Sequence, residues 1–361
     1  MHLPLNGAIV GFGFIAERGH LPAYRVRPDL FAIVAVADLC EARRDQARRA
    51  IPGVRVYATA DELFALERDL DFVDIATPPR DHAVLAHAAL DRGLHVFCEK
   101  PLTTSSEEAR SLLAHAATAQ RVLFPSHNYQ HAPVIRAVRD LLATTDLGAI
   151  QRVDLYTLRP THAKGTPEWK PDWRRARQHS GGGIAMDHGS HSFYLAFEWL
   201  GAYPTAVTAR TAHRAGLDTE DELDCTISFP SGRAAARLTW NADVRKVMYA
   251  IHGEHGVITV EDDAIEITVW PGRPTRIEAA SHWMDASHAA WFGSLQLELV
   301  TAIREGTFVG RHAIDAFHAV RLIEAAYASA AADGLMVSLP ATGPLAQPNR
   351  VDAAPTARAR S

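Results

Sequence analysis

The stretch Gly7-Ala8-Ile9-Val10-Gly11-Phe12-Gly13-Phe14-Ile15-Ala16 determines the fold of this chain. Its apolar start predicts a buried β-strand, and the G-x-G-x-x-A pattern from Gly11 to Ala16 follows at the entry to a helix. Gly11 permits a tight turn, Gly13 lets a pyrophosphate approach the backbone, and Ala16 allows close helix packing. The helix amino terminus is suited to bind phosphate. The stretch therefore predicts a dinucleotide site that uses Gly11, Phe12, Gly13, Phe14 and Ile15.

A carboxylate ends the second predicted strand. Asp38 follows Ala35-Val36-Ala37, where an acid accepts hydrogen bonds from the adenosine ribose hydroxyls. The same charge repels a 2′-phosphate, which favours NAD over NADP, although Arg43 and Arg44 lie nearby and weaken that preference. Asp38 is also suited to a purely structural role as the cap of the next helix.

The first third of the chain alternates strand-like and helix-like segments. Short apolar runs lie at 8–10, 33–37, 72–75, 94–97 and 121–124, and helical spacing fills 41–50, 82–91 and 106–119. Continuous apolar strands joined by helices are typical of a parallel sheet covered on both faces. Residues 1–125 are therefore predicted to form a doubly wound Rossmann domain, which makes the fold class α/β.

The pattern changes after residue 125. A helix at 131–143 precedes strand-like runs at 153–158, 206–211, 223–229, 234–240, 247–252, 257–260 and 265–270, with turns such as Pro230-Ser231-Gly232 between them. Helices at 289–304 and 313–332 follow. We predict an α+β substrate domain over 126–341 with a mainly antiparallel sheet. Residues 342–361, rich in Pro, Ala and Arg, are predicted to be a mobile tail.

Composition excludes several function classes. The 361 residues are 47% hydrophobic and 22% charged, which is typical of a globular protein of about two domains. A net charge of −5 provides no field for nucleic acid or anionic membranes. Cys40, Cys98 and Cys225 form no C-x-x-C pair, which argues against a disulfide scaffold or thiolate zinc site. No basic segment precedes an apolar run at the amino terminus, so we expect a cytoplasmic location.

Two further motifs carry polar chemistry. Glu99-Lys100-Pro101 follows a predicted strand, where a lysine reaches both a nicotinamide and a substrate hydroxyl; alone, it also fits a surface ion pair. The segment 180–191 has three glycines that admit a ligand, and then Asp187 and His191 at i, i+4. A carboxylate beside an imidazole favours its protonated form and suits general acid/base catalysis. A helix cap and a structural histidine explain the same spacing, and His188 has no assigned role.

Together these motifs resemble the Gfo/Idh/MocA oxidoreductase family, which includes inositol and glucose-fructose dehydrogenases. The resemblance covers residues 7–339 and rests on the order and spacing of six pieces: 11–16, 35–38, Ala76-Thr77-Pro78 with His82, 99–101, Trp173-Arg174, and the glycine segment with Asp187 and His191.

The resemblance implies hydride transfer between NAD(P) and a secondary carbinol of a sugar or cyclitol, with an open sheet behind the active site. His191 would accept the hydroxyl proton, Asp187 would orient His191 or contact a neighbouring hydroxyl, and Lys100 would bind the reacting oxygen and seat the nicotinamide. It also implies a cis Lys100-Pro101 bond and a homodimer or homotetramer.

Cofactor contacts are expected from Gly11, Phe12, Gly13, Phe14, Ile15, Asp38, Thr77, Pro78, His82, Glu99, Lys100, Asn128, Trp173 and Arg174. Substrate contacts are expected from Lys100, Asn128, His162, Trp173, Asp187 and His191, with no metal site.

The sequence departs from the family pattern at two places. Tyr194 stands where many members have an aspartate, and the segment 126–131 lacks a frequent arginine, which leaves Asn128 as the candidate for a nicotinamide or substrate contact. His162, Lys164 and Trp169 either line the substrate pocket or belong to a solvated loop.

Three alternatives to a polyol dehydrogenase remain from the sequence. One is a relative that uses NAD transiently to cleave a glycosidic bond by oxidation, elimination and re-reduction. Another is a nucleotide-sensing regulator, against which the complete Lys100, Asp187 and His191 set argues. The weakest is a metal enzyme built on Asp187, His188 and His191, because no motif supplies a further ligand.

Overall fold

The computed structural model describes residues 4–214, 216–280, 283 and 287–343. Six parallel strands form the first sheet in the order β3-β2-β1-β4-β5-β6. They are β1 Leu5–Val10, β2 Phe31–Ala37, β3 Arg55–Tyr57, β4 Phe72–Ile75, β5 His95–Cys98 and β6 Leu123–Pro125. The helices α1 Leu21–Val26, α2 Glu41–Ala50, α3 Ala60–Leu66, α4 His82–Leu90 and α5 Ser106–Ala119 connect them. The predicted Rossmann sheet is confirmed, with β3 as a strand that the hydrophobic pattern did not reveal.

Local chemistry explains where these elements begin and end. Two helices start at a hydroxyl cap: Thr59 accepts from the amide of Glu62 at 3.1 Å, and Ser105 accepts from that of Glu108 at 3.4 Å. The strand β1 lies at the centre of the sheet, and its apolar side chains are buried on both faces. Its carboxyl end therefore opens at the middle of the sheet edge, where the Gly11 turn leads out.

Nine strands form the second sheet, in the order β14-β13-β12-β11-β7-β10-β9-β8-β15. Only β7 and β10 pair in parallel, and the other pairs are antiparallel, as expected for a mainly antiparallel sheet. The strands are β7 Ile150–Leu158, β8 Ala206–Ala212, β9 Glu222–Phe229, β10 Gly232–Thr239, β11 Lys246–Gly253, β12 Gly256–Glu261, β13 Ala264–Val269, β14 Thr275–Glu278 and β15 Val337–Ser338. The helices α6 Pro133–Thr144, α7 Arg177–Ser180 and α8 Ser190–Leu200 belong to this half, and α8 lies almost wholly buried in its core.

The two last helices return to the Rossmann domain. Phe292 and Leu295 of α9 (Ala289–Glu305) pack into one Rossmann core cluster, and Ala313 and Phe317 of α10 (Arg311–Ala331) pack into another. The predicted boundary at residue 125 therefore does not separate two independent cores. The predicted tail lies outside the described residues from 344 onward.

No helix among the described residues is both long enough and apolar enough to cross a lipid bilayer.

Candidate active site

A cavity of about 850 Å³ opens where the carboxyl ends of the Rossmann strands face the second half of the chain. One side consists of the Gly11–Ile15 turn, Asp38 and residues 76–79. The loop 159–174, the turn Ala185–Gly189 and the start of α8 form the other side. The cavity therefore has a half suited to a nucleotide and a half suited to a substrate.

The glycine turn leaves room for a dinucleotide. Gly11 has φ +88°, and a Cβ there would lie 2.9 Å from the backbone of Ala76 and Thr77. Around Gly13 no heavy atom lies within 4 Å of where a Cβ would be, so its backbone faces open space. Asp38 lines the same region, and its two carboxylate oxygens accept from the amides of Phe12 at 2.7 Å and Cys40 at 2.8 Å. These residues fit NAD, because the open backbone at Gly13 is suited to a pyrophosphate and Asp38 is suited to ribose hydroxyls.

Two arginines near Asp38 already have partners. Arg43 donates to the Phe12 carbonyl at 2.7 Å and to Glu17 at 2.6 Å, while Arg44 donates to the Asp38 carbonyl at 2.8 Å. Burial, the largest effect, raises the pKa of Asp38 although both arginines lower it. Both guanidinium groups therefore already donate to oxygens of the protein.

Two residues for which cofactor contacts were predicted, Phe12 and His82, have side chains that lie behind the cavity wall. The Phe12 side chain is fully buried in the core beneath the turn, and its amide supports Asp38. His82 is fully buried as well, and its two ring nitrogens lie 2.8 Å from the Pro101 carbonyl and 2.9 Å from the Thr77 carbonyl. Both residues hold cavity segments in place from behind.

An ion pair joins the two halves of the cavity. Lys100 Nζ donates to Asp187 Oδ1 at 2.8 Å and to the Asp187 carbonyl at 2.9 Å, with both side chains 13% exposed. Burial opposes the charge of Asp187, but Lys100 and Arg174 hold the pKa of its carboxyl well below the usual range. The Lys100-Pro101 bond is cis, as the resemblance implies.

His191 lies beside this pair without being bound to Asp187 through a hydrogen bond. Its ring stacks on Tyr129 at a centroid distance of 3.9 Å, and Nδ1 lies 3.5 Å from the Tyr194 hydroxyl. Burial and the charge of Lys100 hold the pKa of His191 well below its ordinary value. In this structure the His191 ring is therefore positioned by two tyrosines and not by Asp187, and its lowered pKa favours the neutral form. Tyr194 takes the place where family members carry an aspartate.

Asp187 instead lies close to His188, which the sequence analysis left unassigned, and to Arg174, for which a cofactor contact was predicted. His188 Nδ1 lies 3.3 Å from Asp187 Oδ2, and Arg174 Nε lies 3.4 Å from the same oxygen. Burial lowers the pKa of His188 to about 4, although Asp187 opposes that shift. Residues 185–189 form a π-helical turn rather than an α-helix, so the face assumed from i, i+4 spacing does not apply.

The glycine segment is positioned by a buried acid from the second sheet. Glu220 accepts from the amides of Gly183 at 2.9 Å and Ala185 at 3.0 Å, and it also accepts from the Tyr327 hydroxyl at 2.8 Å. A Cβ on Gly183 would clash with the Glu220 backbone. Close packing therefore requires glycine at position 183. The hydrogen bonds to Glu220 hold the turn that carries Asp187 in place.

A buried cation supports the segment behind Lys100. His20 Nδ1 lies 2.9 Å from Asp74 Oδ2, its Nε2 lies 3.1 Å from Glu99 Oε1, and the ring is fully buried. Burial favours the neutral ring, but the two carboxylates outweigh it and raise the pKa of His20 to about 10. The imidazolium therefore lies between Asp74 and Glu99, the residue immediately before Lys100, and offsets part of their combined negative charge.

The other predicted residues lie in the cavity wall. Thr77, Pro78, Glu99, Asn128, His162, Lys164, Trp169, Trp173 and Arg174 all line it. Among the described residues no partner is found for Asn128 Oδ1 or Thr77 Oγ1, both buried, so a ligand can satisfy them. His162 lies 2.7 Å from Asp172, which also pairs with Lys164. The loop 159–174 is thus a cavity wall rather than only a solvated loop.

Arg159 and Arg245 were missed by the sequence analysis although both line the cavity. Arg159 immediately follows a strand, and Arg245 immediately precedes one. Their positions at the ends of predicted strands were the signal that could have identified them.

The side chains that are close enough together to bind a metal ion lie outside this cavity. Within the described residues one set of three side chains has ligand atoms close enough for an ion, namely His131, Glu298 and His312, and none of them lines the cavity.

Comparisons with known proteins place these features in a family. The model "Oxidoreductase family, NAD-binding Rossmann fold" of GFO_IDH_MocA matches residues 5–127, and the "GFO/IDH/MocA C-terminal domain" model matches residues 135–259. The chain is 29% identical to D-xylose 1-dehydrogenase (NADP(+)) 2 of Haloferax volcanii, over 67% of this chain and 70% of that protein. It is 25% identical to levoglucosan dehydrogenase of Pseudarthrobacter phenanthrenivorans, over 70% of this chain and 73% of that protein. The structure of GenD2 from gentamicin A biosynthesis in complex with NAD superposes with a TM-score of 0.80 at 26% identity, over 94% of this chain and 98% of that one.

Replacing His20 with asparagine is expected to destabilise the fold in a pH-dependent way. Removing the cation from a buried pair costs about 3–5 kcal/mol. Because the folded pKa of His20 is raised to about 10 from 6.5, its stabilisation is complete below pH 6.5 and is lost as the pH rises toward 10. Urea unfolding of the wild type and of His20→Asn should be measured across this pH range. The difference between their free energies of unfolding should decrease by up to about 1.4 kcal/mol per pH unit. The control is His213→Asn, at an exposed position. A loss of stability in His20→Asn that does not depend on pH, or an equal loss in His213→Asn, would contradict a charged His20.

Replacing Asp38 with serine is expected to reduce the discrimination between the two cofactors. A carboxylate about 4 Å from a 2′-phosphate costs on the order of 1–4 kcal/mol, so the wild type should prefer NAD by roughly tenfold to several hundredfold. Calorimetric titration should show that preference falling by about tenfold or more in Asp38→Ser and unchanged in Asp45→Ser, whose side chain is 49% exposed. Tighter binding of NADP by the wild type would rule out this role for Asp38.

Proposed function

The chain belongs to the Gfo/Idh/MocA family of oxidoreductases, and we propose that it transfers a hydride between NAD and a secondary carbinol of a sugar, cyclitol or related polyol. The proposal depends most on one observation: Lys100, Asp187 and His191 converge in the cavity that the glycine turn opens into. When bound, NAD supplies the nicotinamide that accepts or returns the hydride. The side chains of this chain bind the carbinol and handle its proton.

Lys100 is suited to bind the reacting oxygen. Its ammonium has three N–H donors, and Asp187 takes two of them through its carbonyl and carboxylate oxygens. One donor remains for the carbinol oxygen. The negative charge of Asp187 keeps the ammonium in place, so Lys100 stabilises negative charge that develops on that oxygen.

His191 is suited to accept the hydroxyl proton. Its lowered pKa keeps the ring neutral at pH 7, which is the form that acts as a base during oxidation. Nδ1 faces the Tyr194 hydroxyl, and Tyr129 covers one face of the ring. With the ring hydrogen on Nδ1, which donates to the Tyr194 oxygen, Nε2 is the nitrogen that takes the proton in oxidation and returns it in reduction.

The cavity wall favours a polyhydroxylated substrate. A buried polar group without a partner costs about 1–3 kcal/mol, and Asn128 Oδ1 is such an atom among the described residues. A substrate hydroxyl satisfies it, whereas an apolar alcohol does not. Trp169 and Trp173 also line the cavity and offer apolar surface to the C–H face of a ring. The relatives named as D-xylose and levoglucosan dehydrogenases support a sugar as the substrate class.

Assembly and location belong to the same proposal. By family resemblance we propose a homodimer or homotetramer that pairs through the nine-stranded sheet. A cytoplasmic location stays a prediction from the sequence.

A substrate screen tests the proposed function. With NAD in excess, inositols and aldoses should show a kcat/KM at least about tenfold above that of aromatic or aliphatic secondary alcohols, because matched hydroxyls contribute strongly to discrimination. Nicotinamide absorbance is the measurement. Higher values for the apolar alcohols would refute the polyol class. Glycoside cleavage that requires NAD without net NADH formation would instead support the transient-oxidation alternative.

Loss of His191 or Lys100 should impair turnover without unfolding the protein. We expect His191→Asn and Lys100→Met each to lower kcat by about 10²- to 10⁴-fold on the best substrate of the screen, as for a removed acid/base group. Circular dichroism and the thermal midpoint check the fold, and His255→Asn at a 55% exposed position is the matched control. A folded His191→Asn enzyme with wild-type kcat would exclude its proton-transfer role.

A further inference from the structure

The substrate half of the cavity carries an excess of positive charge. Five carboxylates line the cavity, and four of them, Asp38, Asp61, Asp81 and Glu99, belong to the Rossmann domain. The C-terminal half contributes only Asp187 among its described residues, and Asp187 is bound to Lys100. The cationic side chains of this half are Arg159, Lys164, Arg174 and Arg245.

Some of these cations are neutralised within the protein. Lys164 pairs with Asp172, and Arg174 lies 3.4 Å from the Asp187 carboxylate. The remaining two, Arg159 and Arg245, form no ion pair within 4.0 Å with any described residue.

Arg159 is a buried guanidinium with an unused donor. It follows directly after β7 and is only 3% exposed. One terminal nitrogen donates to the carbonyls of Leu158 at 2.8 Å and Lys246 at 2.9 Å, which fixes the side chain. Its Nε is buried and finds no hydrogen-bond partner in the described part of the chain. An unsatisfied buried charged group is costly unless a ligand completes it.

Arg245 lies at the same end of the neighbouring strand. It precedes β11, which pairs with β7 so that Lys246 faces Leu158. One of its terminal nitrogens donates to the Trp283 carbonyl at 2.9 Å. Burial lowers the pKa of Arg245 most, and the like charge of Arg159 lowers it further. Asp262 opposes this shift, but its carboxylate already accepts from the Val247 amide at 2.9 Å.

Two cations in one partly buried place repel each other, and an anion between them removes the repulsion. The planar guanidinium matches the geometry of a carboxylate or phosphate better than that of a neutral hydroxyl. We propose that Arg159 and Arg245 form a subsite for an acidic group on the substrate, so that the enzyme acts on a polyol bearing a carboxylate or phosphate. The subsite rests on the proposed function, because it assumes that the cavity binds a polyol.

Binding of matched neutral and anionic polyols tests the subsite. Calorimetric titration of the NAD-saturated enzyme would compare glucitol with gluconate and glucitol 6-phosphate, and galactitol with galactonate. At least one anion should bind about tenfold or more tightly than its neutral partner, which corresponds to about 1.4 kcal/mol. Preference for the carboxylate or for the phosphate identifies the acidic group.

Substitutions test whether these two arginines cause the preference for the anion. Arg245→Gln should bring the affinity for the anion to within about twofold of that for its neutral partner, both measured on the same variant. Arg159→Lys keeps the positive charge but removes the planar guanidinium group. This variant should lose a smaller part of the preference for the anion. The control Arg276→Gln, at a position 66% exposed, should keep the full preference.

The inference is overturned if anions and neutral polyols bind equally, if no anion binds, or if Arg276→Gln loses the preference as Arg245→Gln does. Because this experiment measures binding alone, it is separate from the substrate screen. NADH formation from neutral polyols without any anion preference would leave the proposed function standing and remove the subsite.

Discussion

The ion pair between Lys100 and Asp187 is the interaction on which the rest of the site depends. It joins the end of a Rossmann strand to the π-helical turn of the other half, 87 residues away. Both groups are largely buried, so each would be an uncompensated charge without the other. Structures on both sides support it: the His20 imidazolium behind Glu99, and Glu220 beneath the glycine segment.

The charges around this pair determine the protonation state of the neighbouring imidazoles. Lys100 is the first cause after burial that disfavours a positive His191, and it contributes to the lowered pKa of His188 as well. The cationic and basic functions are therefore divided between two residues. In the proposed reaction, Lys100 binds the carbinol oxygen as an ammonium, and His191 accepts the proton as a neutral ring. A carboxylate bonded to His191 would have weakened this division, and the tyrosine at position 194 avoids it.

Local patterns predicted the elements well and long-range contacts poorly. The helices α2 and α5 were placed at their observed bounds, because apolar spacing and the residues at their ends are local signals. The Gly11 turn and Asp38 were placed correctly in the cavity wall for the same reason. The bond from Lys100 to Asp187 was not predictable, because the two residues lie in different domains and because a π-helical turn changes which residues share a face. The His20 network was not predictable, since its three members are brought together only by the sheet.

The arrangement separates hydride chemistry from substrate choice. The groups suited to bind the dinucleotide lie on the turn after β1 and at the ends of β2 and β4, on a rigid parallel sheet. The walls around the substrate come from the loop 159–174 and from the ends of β7 and β11 in the other sheet. Changes in that loop or at those strand ends alter which substrate group is contacted without moving the Gly11 turn or Asp38. The Lys100–Asp187 ion pair links the two halves within the cavity, so the fold can hold one chemistry constant while its substrate pocket varies.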